Sequence, residues 1–135
     1  MSEMMIFDRT IAVLGKALDL RHRQQTVLAS NIANAETPGY KPQRLEFEAD
    51  LRQALQTPAG AGHRVTGGSG PRTALARVEG RLREAPDRAV RADENGVDLD
   101  RELIAQAENQ LLYEAAAQML NKKLGLLKYV SQDGR

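Results

Sequence analysis

Two histidines, His22 and His63, are the residues of this chain best suited to acid–base catalysis or to binding a transition metal. A metal site needs further His, Cys or carboxylate ligands, and neither histidine has one at a suitable spacing. A Ser/His/Asp set is not recognisable either. The histidines therefore predict neither a metal site nor a catalytic site.

The acidic stretch DENGVDLD, residues 93–100, suggests calcium binding at first sight. An EF-hand loop has its glycine at the sixth position and a glutamate at the twelfth, whereas this glycine is the fourth residue. The stretch fits better as an Asn95-Gly96 turn followed by a helix with Asp98 as its N-cap. The sequence GGSG at 67–70 lacks the lysine and following helix of a phosphate-binding loop. We therefore predict a non-enzymatic protein without a cofactor or metal ion.

The composition predicts one domain built mainly of helices. The chain has 135 residues, only 4% aromatics and no Trp, so Leu, Ile, Val and Ala must form its core. Cysteine is absent, which leaves the redox compartment open. The net charge is +1 without a basic cluster, which argues against nucleic-acid binding. Neither a signal peptide nor a membrane span is recognisable, and no small-molecule substrate is indicated, so these features alone predict a soluble cytoplasmic protein.

The first long helix is predicted over about residues 5–34. Its apolar positions step by four and three, as in a heptad repeat. Two central positions, Arg21 and Gln25, are polar, which suits a helix whose neighbours differ along its length. The full set is Phe7, Ile11, Leu14, Leu18, Arg21, Gln25, Leu28, Ile32 and Ala35.

The second long helix is predicted from Leu99 to about Val130, a length of roughly 48 Å. It carries two adjacent stripes, which together are wider than a contact with one helix requires. Either the two long helices form a compact antiparallel hairpin, or part of this face contacts other chains. The stripes are Tyr113, Ala117, Leu120, Leu124 and Leu127, and Leu112, Ala116, Met119, Lys123 and Leu126.

Between the helices, the sequence predicts a rigid corner. Pro38-Gly39 fits the centre of a type II turn, in which glycine supplies a positive φ, and Thr37 before the proline is pushed out of the α region. Asn34 fits a left-handed C-cap, and its amide and that of Asn31 could satisfy carbonyls at the helix end. Tyr40 has a ring and a hydroxyl that could anchor the returning chain, and Lys41-Pro42 keeps it extended.

The middle of the chain is predicted to be extended or irregular. Residues 45–56 form a short strand leading into a helix, or one short helix. Residues 57–74 read as a glycine-rich flexible loop, and residues 75–97 hold short strands or nothing regular. The predicted fold is therefore mainly α, with the two long helices pairing as a coiled-coil-like core. Its parts are 1–36, 37–97 and 98–135.

The stretch SNIANAETPGYK resembles the signature of the flagellar rod, hook and filament-axial proteins, commonly A-N-N-L-A-N-x-x-T-P-G-Y-K. Ser30 and Ile32 depart from that pattern. The matching residues are Asn31, Ala33, Asn34, Thr37, Pro38, Gly39, Tyr40 and Lys41. The C-terminal part resembles the short, proximal rod members of the family through Asn95, Val97, Asp98, Glu102, Asn109, Tyr113 and the closing Leu-Lys-Tyr.

The resemblance implies a structural subunit of the basal-body rod, whose terminal helices pack in the core of a hollow helical tube. It also implies export through the flagellar type III gate without a cleaved signal peptide, and a place in the periplasmic rod. The implied partners are the chain itself, rod proteins of the FlgC, FlgF and FlgG type, a FliE-type adaptor, and the MS ring and export gate. The alternative is a chaperone-like helical adaptor of the export system in the cytoplasm.

On this reading, Asn31, Asn34 and residues 37–41 set where the chain leaves the tube core. The expected helical core consists of Ile11, Leu14, Leu18, Leu28, Ile32, Leu112, Tyr113, Met119, Leu120, Leu124 and Leu127.

Overall fold

The structure, a computed structural model, describes residues 2–57, 74–85 and 97–133, with side chains from Phe7 onwards. Along the chain its elements are helix α1 (Ser2–Ala33), strand β1 (Gln43–Glu46), helix α2 (Glu48–Gln56), a 3₁₀ turn (Ala74–Arg77), strand β2 (Arg81–Glu84) and helix α3 (Leu99–Asp133). Most of the predicted glycine-rich loop, together with His63, GGSG and Asn95-Gly96, lies outside the described residues.

The two long helices pack against each other in antiparallel orientation, which confirms the mainly α fold class. Three sets of contacts connect the two helices at different points along their length. They join Asn31 to Glu102, Arg21 and Gln25 to Asn109, and Phe7 to Lys123. Residue numbers that rise along α1 meet numbers that fall along α3, as in a helical hairpin.

The helix bounds differ slightly from those predicted. Helix α1 starts at Ser2 and stops at Ala33, and α3 continues to Asp133. Asp98 caps α3, since its carboxylate accepts from the N–H of Arg101 at 3.4 Å and its carbonyl from the N–H of Glu102 at 3.0 Å. For residues 45–56 the strand-then-helix alternative is the right one.

Strands β1 and β2 form a two-stranded antiparallel sheet in which Leu45 lies opposite Leu82. The other edge of β1 faces α1, and two side chains of α1 bind its backbone. Gln24 Oε1 accepts from the N–H of Leu45 at 3.0 Å, and Asn31 bonds both polar backbone groups of Gln43. Side-chain amides of a helix thus take the place of a third strand.

The buried apolar core lies where α1 meets the middle segment. Leu20, Phe47, Ala54 and Val78 form one buried cluster, with Leu45, Leu51 and Ala74 packed around it. The Arg21 guanidinium lies 5.0 Å from the centre of the Phe47 ring, close enough for a cation–π contact. The core is therefore centred on the first residue after β1, which the heptad pattern of the long helices does not reveal.

Three cations of α1, spaced seven residues apart, hold the middle segment by its backbone. Arg9 donates to the carbonyls of Leu55 at 2.6 Å and Thr57 at 3.1 Å. Lys16 donates to the carbonyl of Ala76 at 3.4 Å, and Arg23 to that of Glu79 at 3.3 Å. A spacing of seven residues keeps these three side chains on one helix face, so their contacts with the middle segment lie along one side of α1.

Helix α3 is covered on one side only. Among the described residues, most of the exposed large apolar side chains belong to it. They are Leu99, Leu103, Ile104, Leu111, Leu112, Met119, Leu124, Leu126, Leu127, Tyr129 and Val130. The hairpin alternative for the wide apolar face is therefore confirmed, whereas contact of the uncovered part of α3 with other chains stays a prediction.

Candidate assembly site

Helix α1 ends in a turn of hydrogen bonds around Asn34. Its backbone N–H and its Nδ2 both donate to the carbonyl of Ser30, at 3.1 and 2.8 Å. Its own carbonyl and Oδ1 accept from the N–H and hydroxyl of Thr37, at 3.0 and 3.2 Å. The Asn34 side chain thus satisfies a carbonyl of the last helical turn and ties the next residues to it.

The chain then reverses at Pro38-Gly39. The Tyr40 N–H donates to the carbonyl of Thr37 at 3.2 Å, which closes a four-residue turn. Gly39 has φ +74°, and a Cβ built there would meet nothing within 4 Å. Glycine is needed here for its backbone conformation and not for space, as in a type II turn.

The Asn31 amide is the centre of the corner. It is fully buried and uses all four of its hydrogen-bonding positions. Nδ2 donates to the Gln43 carbonyl at 2.8 Å and to Glu102 Oε2 at 3.0 Å. Oδ1 accepts from the Gln43 N–H at 2.9 Å and from the Tyr40 hydroxyl at 3.1 Å. The expectation that Asn31 satisfies helix-end carbonyls is therefore wrong. Its amide binds the returning strand and the other long helix instead.

A buried ion pair completes the corner. Glu102 in the first turn of α3 is only 2% exposed. The Arg44 guanidinium donates to both of its carboxylate oxygens, at 2.7 and 2.6 Å. Such a two-bond geometry compensates the carboxylate for its lost water far better than a single contact does. We call Asn31, Tyr40, Gln43, Arg44 and Glu102 the corner network, since together they lock α1, β1 and α3.

A second polar cluster joins the long helices nearer their middle. Asn109 of α3 is buried and donates to the Arg21 carbonyl and to Gln25 Oε1, both at 2.9 Å. Arg21 also bonds Glu48 at 3.2 Å. The two polar residues in the predicted apolar seam of α1 therefore face a polar partner on α3, with a neighbour from the middle segment beside them.

Apart from Leu28, the remaining residues of the signature and of the expected helical core are less buried. Tyr40 is partly buried, and its hydroxyl also lies 3.3 Å from Ser30 Oγ. Lys41 forms an exposed ion pair with Glu84 at 3.3 Å. Of the expected core, Leu28 is buried. Ile11, Leu14, Leu18, Ile32, Tyr113 and Leu120 are half-buried, whereas Leu112, Met119, Leu124 and Leu127 are exposed. Their burial against other chains stays a prediction.

The described residues show no group of three or more His, Cys, Asp or Glu side chains that could hold a metal ion. A groove beside β1 and α2 is lined by apolar and charged residues, and four of the charged ones form ion pairs across it, Arg81 with Asp50 at 3.4 Å and Arg83 with Glu46 at 3.0 Å. Among the helices that the structure describes, none is both long and apolar enough to span a bilayer. The corner is therefore the most elaborate polar site that the structure describes.

The chain is similar in sequence to known proteins, and the similarity includes the residues of α1 and of the turn that follows it. The model of a family described as flagella basal body rod protein matches residues 11–41, which comprise most of α1 and the corner. The flagellar basal body rod protein FlgB of Escherichia coli (strain K12) is 31% identical over 138 residues, covering 94% of this chain and 96% of the relative. The chain belongs to the flagellar basal body rod protein family. FlgB of Salmonella typhimurium is 32% identical over 94% of this chain and 96% of its own length, and FlgB of Bacillus subtilis is 30% identical over 98% and 100%.

The family match explains which residues of the corner network could be identified from the sequence. The matched region ends at Lys41, so it contains Asn31 and Tyr40 but not Arg44 or Glu102. Those two residues lie 58 positions apart in the chain, and the fold brings them together. The sequence pattern singles out Glu102 only as one of the C-terminal residues that resemble the short rod proteins, which does not indicate Arg44 as its partner.

Proposed function

We propose that this chain is a structural subunit of the proximal part of the bacterial flagellar basal-body rod. The observation that carries the proposal is its similarity to FlgB proteins along nearly the whole chain, at 30–32% identity in three organisms. The subunit serves flagellum-dependent motility by its shape and contacts, so the relevant chemistry is that of packing and hydrogen bonding.

The corner network suits a part that must transmit torque. A drive shaft needs subunits in which the long helices keep a fixed relation to the segment that leaves them. In this chain, Asn31 bonds α1 to β1 and α3 at once, and Arg44 bonds β1 to Glu102 of α3. Because Asn31 and Glu102 are buried and hydrogen-bonded, bending the corner would strand their polar groups without partners.

We propose further that the terminal helices polymerise through the apolar surface that the single chain leaves uncovered. Leu124 and Leu127 continue the stripe of α3 to which the half-buried Tyr113 and Leu120 belong, but both are exposed. Apolar surface of this kind stabilises an assembly when neighbouring chains cover it. A repeating contact between different faces of identical chains yields an open filament.

The test replaces both exposed leucines by aspartate in the full chain, in a strain that has no other copy. Leu124→Asp with Leu127→Asp is expected to abolish swimming and to remove the chain from purified hook–basal bodies. Far-UV circular dichroism of the purified variant should stay unchanged, since neither leucine is buried in the single chain. Leu82→Asp, at an exposed leucine of β2, is the matched control and should assemble normally. Normal motility of the double variant would refute assembly through this stripe.

We also propose that the chain occupies the periplasmic rod and reaches it through the flagellar export gate without losing a signal peptide. The proposed partners are further copies of the chain, rod proteins of the FlgC, FlgF and FlgG type, a FliE-type adaptor, and the MS ring. The resemblance of the signature and of the C-terminal part to rod proteins supports this assignment. The intact mass of the chain in purified basal bodies tests it, because removal of a signal peptide would shorten the chain by roughly 15–30 residues.

A further inference from the structure

The exposed side of α3 carries a stripe of residues whose spacing is the same in both directions along the helix. Its residues follow helical spacings of three and four, so they lie on one face. The spacing is symmetric about Ala115, with members four, seven and eleven residues away on either side. The stripe consists of Ile104, Glu108, Leu111, Ala115, Met119, Lys122 and Leu126.

The residues at equal distances from Ala115 are chemically complementary. Leu111 corresponds to Met119, and Ile104 to Leu126, so apolar residues correspond to apolar ones. Glu108 corresponds to Lys122, so an acid corresponds to a base. The order is therefore suited to pairing with a copy of itself that runs in the opposite direction.

This stripe is open in the single chain. Ile104, Leu111, Met119 and Leu126 are 62%, 67%, 57% and 55% exposed. Glu108 and Lys122 are exposed as well, and neither takes part in any of the ion pairs between described residues. Helix α1 lies on the other side of α3, at Glu102 and Asn109. The face is thus accessible to another chain.

We propose that two copies of the chain associate through this stripe, as an antiparallel pair of α3 helices with its two-fold axis at Ala115. Each Glu108 then lies beside Lys122 of the other copy, so the dimer contains two equivalent ion pairs. The small side chain at the centre lets the helices approach closely. A contact in which the same patch serves both copies is closed and stops at a dimer.

The charge order favours this arrangement over a parallel one. In a parallel pair in register, Glu108 would face Glu108 and Lys122 would face Lys122, which is unfavourable. A parallel pair shifted by 14 residues would restore that ion pair. It would, however, place Leu111 beside Gly125 and Ile104 beside Gln118, so much of the apolar match would be lost. The antiparallel order alone satisfies all seven positions.

The dimer has a consequence for assembly, and this step rests on the proposed function. Neighbouring subunits of a rod all point the same way along its axis, so an antiparallel pair cannot be incorporated as it stands. The pair is therefore a form that exists before assembly. It covers the stripe in the unassembled protein and must separate before each subunit joins the rod.

Charge exchange tests the pairing on the full purified chain by sedimentation velocity over a range of concentrations. Glu108→Lys makes both charged positions basic, and Lys122→Glu makes both acidic, so each variant is expected to dimerise roughly tenfold more weakly than the wild type. An equimolar mixture of the two variants should dimerise like the wild type, because each base then meets an acid. Glu114→Lys, at an exposed acid of α3 that is not part of the stripe, is the control and should not change the dimer. A wild type that stays monomeric, or a mixture as weak as its components, would overturn the proposal.

Cysteine cross-linking tests the direction, since the chain has no cysteine of its own. Ala115→Cys should form a disulfide-linked dimer on oxidation, because the two-fold axis brings the two positions together. Glu108→Cys should not cross-link to itself, because its two copies lie 14 residues or about 21 Å apart along the helices. Efficient self-cross-linking at 108 would refute the antiparallel order.

If the chain dimerises as described but is missing from basal bodies, the proposed function fails and the dimer stands. If it assembles but the charge exchange has no effect, the dimer fails alone.

Discussion

The corner network makes a quantitative prediction for Asn31→Asp. The substitution keeps the shape of the side chain but removes both N–H donors, which now bind the Gln43 carbonyl at 2.8 Å and Glu102 Oε2 at 3.0 Å. It also places a carboxylate against that of Glu102. A buried acceptor without its partner costs about 1–3 kcal/mol, and an uncompensated buried charge about 3–5 kcal/mol. We expect the free energy of unfolding to fall by about 3–5 kcal/mol, a large part of the roughly 5–15 kcal/mol of a typical domain.

Urea denaturation followed by far-UV circular dichroism measures this loss. The matched control is Asn34→Asp, which breaks only one hydrogen bond, to the Ser30 carbonyl, at a half-buried position that water can reach. It should cost about 1 kcal/mol. In a double-mutant cycle, Glu102→Gln should partly restore Asn31→Asp, because the new amide can donate to the new carboxylate, with a coupling of about 1–3 kcal/mol. Equal losses for the two aspartate variants, or no coupling to Glu102, would refute the central role of Asn31.

Three further comparisons of variants are made with the same denaturation assay. Arg44→Met strands the buried Glu102 and should cost about 3–5 kcal/mol, whereas Lys41→Met removes an exposed ion pair and should cost under about 1 kcal/mol; similar losses would contradict the burial argument. Gly39→Ala should cost about 1–2 kcal/mol because its φ is +74°, whereas Gly15→Ala within α1 should stabilise by about 0.5–1 kcal/mol; a common sign would be evidence against the turn. Gly80→Ala should cost more than Gly39→Ala, since its Cβ would also lie 2.9 Å from Leu45 Cδ1. Leu45→Ala should relieve that excess, and no relief would rule out the contact.

The sequence was informative where the determinants are local. A heptad repeat, an N-cap aspartate and a Pro-Gly turn act within a few residues, so both long helices and the reversal after α1 were predictable. Arg21 and Gln25 also stood out as polar positions in an apolar stripe. Their partner Asn109 could not be named, because it lies 88 residues from Arg21 in the chain.

Other features depend on pairings that no local pattern specifies. Asn31 was read as a helix-end residue because its neighbours suggested that role, yet its partner Glu102 is 71 residues away. Phe47 directly follows β1, and β1 pairs with β2, a short strand of three charged residues and one leucine that lacks the usual alternation. The exposed leucines of α3 show a second limit of sequence reasoning. A stripe of apolar residues predicts that the stripe is buried, but it does not specify whether the same chain or another chain buries it.

Arg9, Lys16 and Arg23 of α1 contact the described part of the middle segment through its backbone carbonyls. Every residue type, including proline, offers the same carbonyl to a donor. The hydrogen bonds from Arg9, Lys16 and Arg23 therefore do not depend on which side chains the middle segment carries at these points. The middle of the chain can change its surface, and with it the partners it meets, while α1 continues to hold it in the same place. Helix α1 thus fixes the position of the middle segment without fixing the side chains on the surface of that segment.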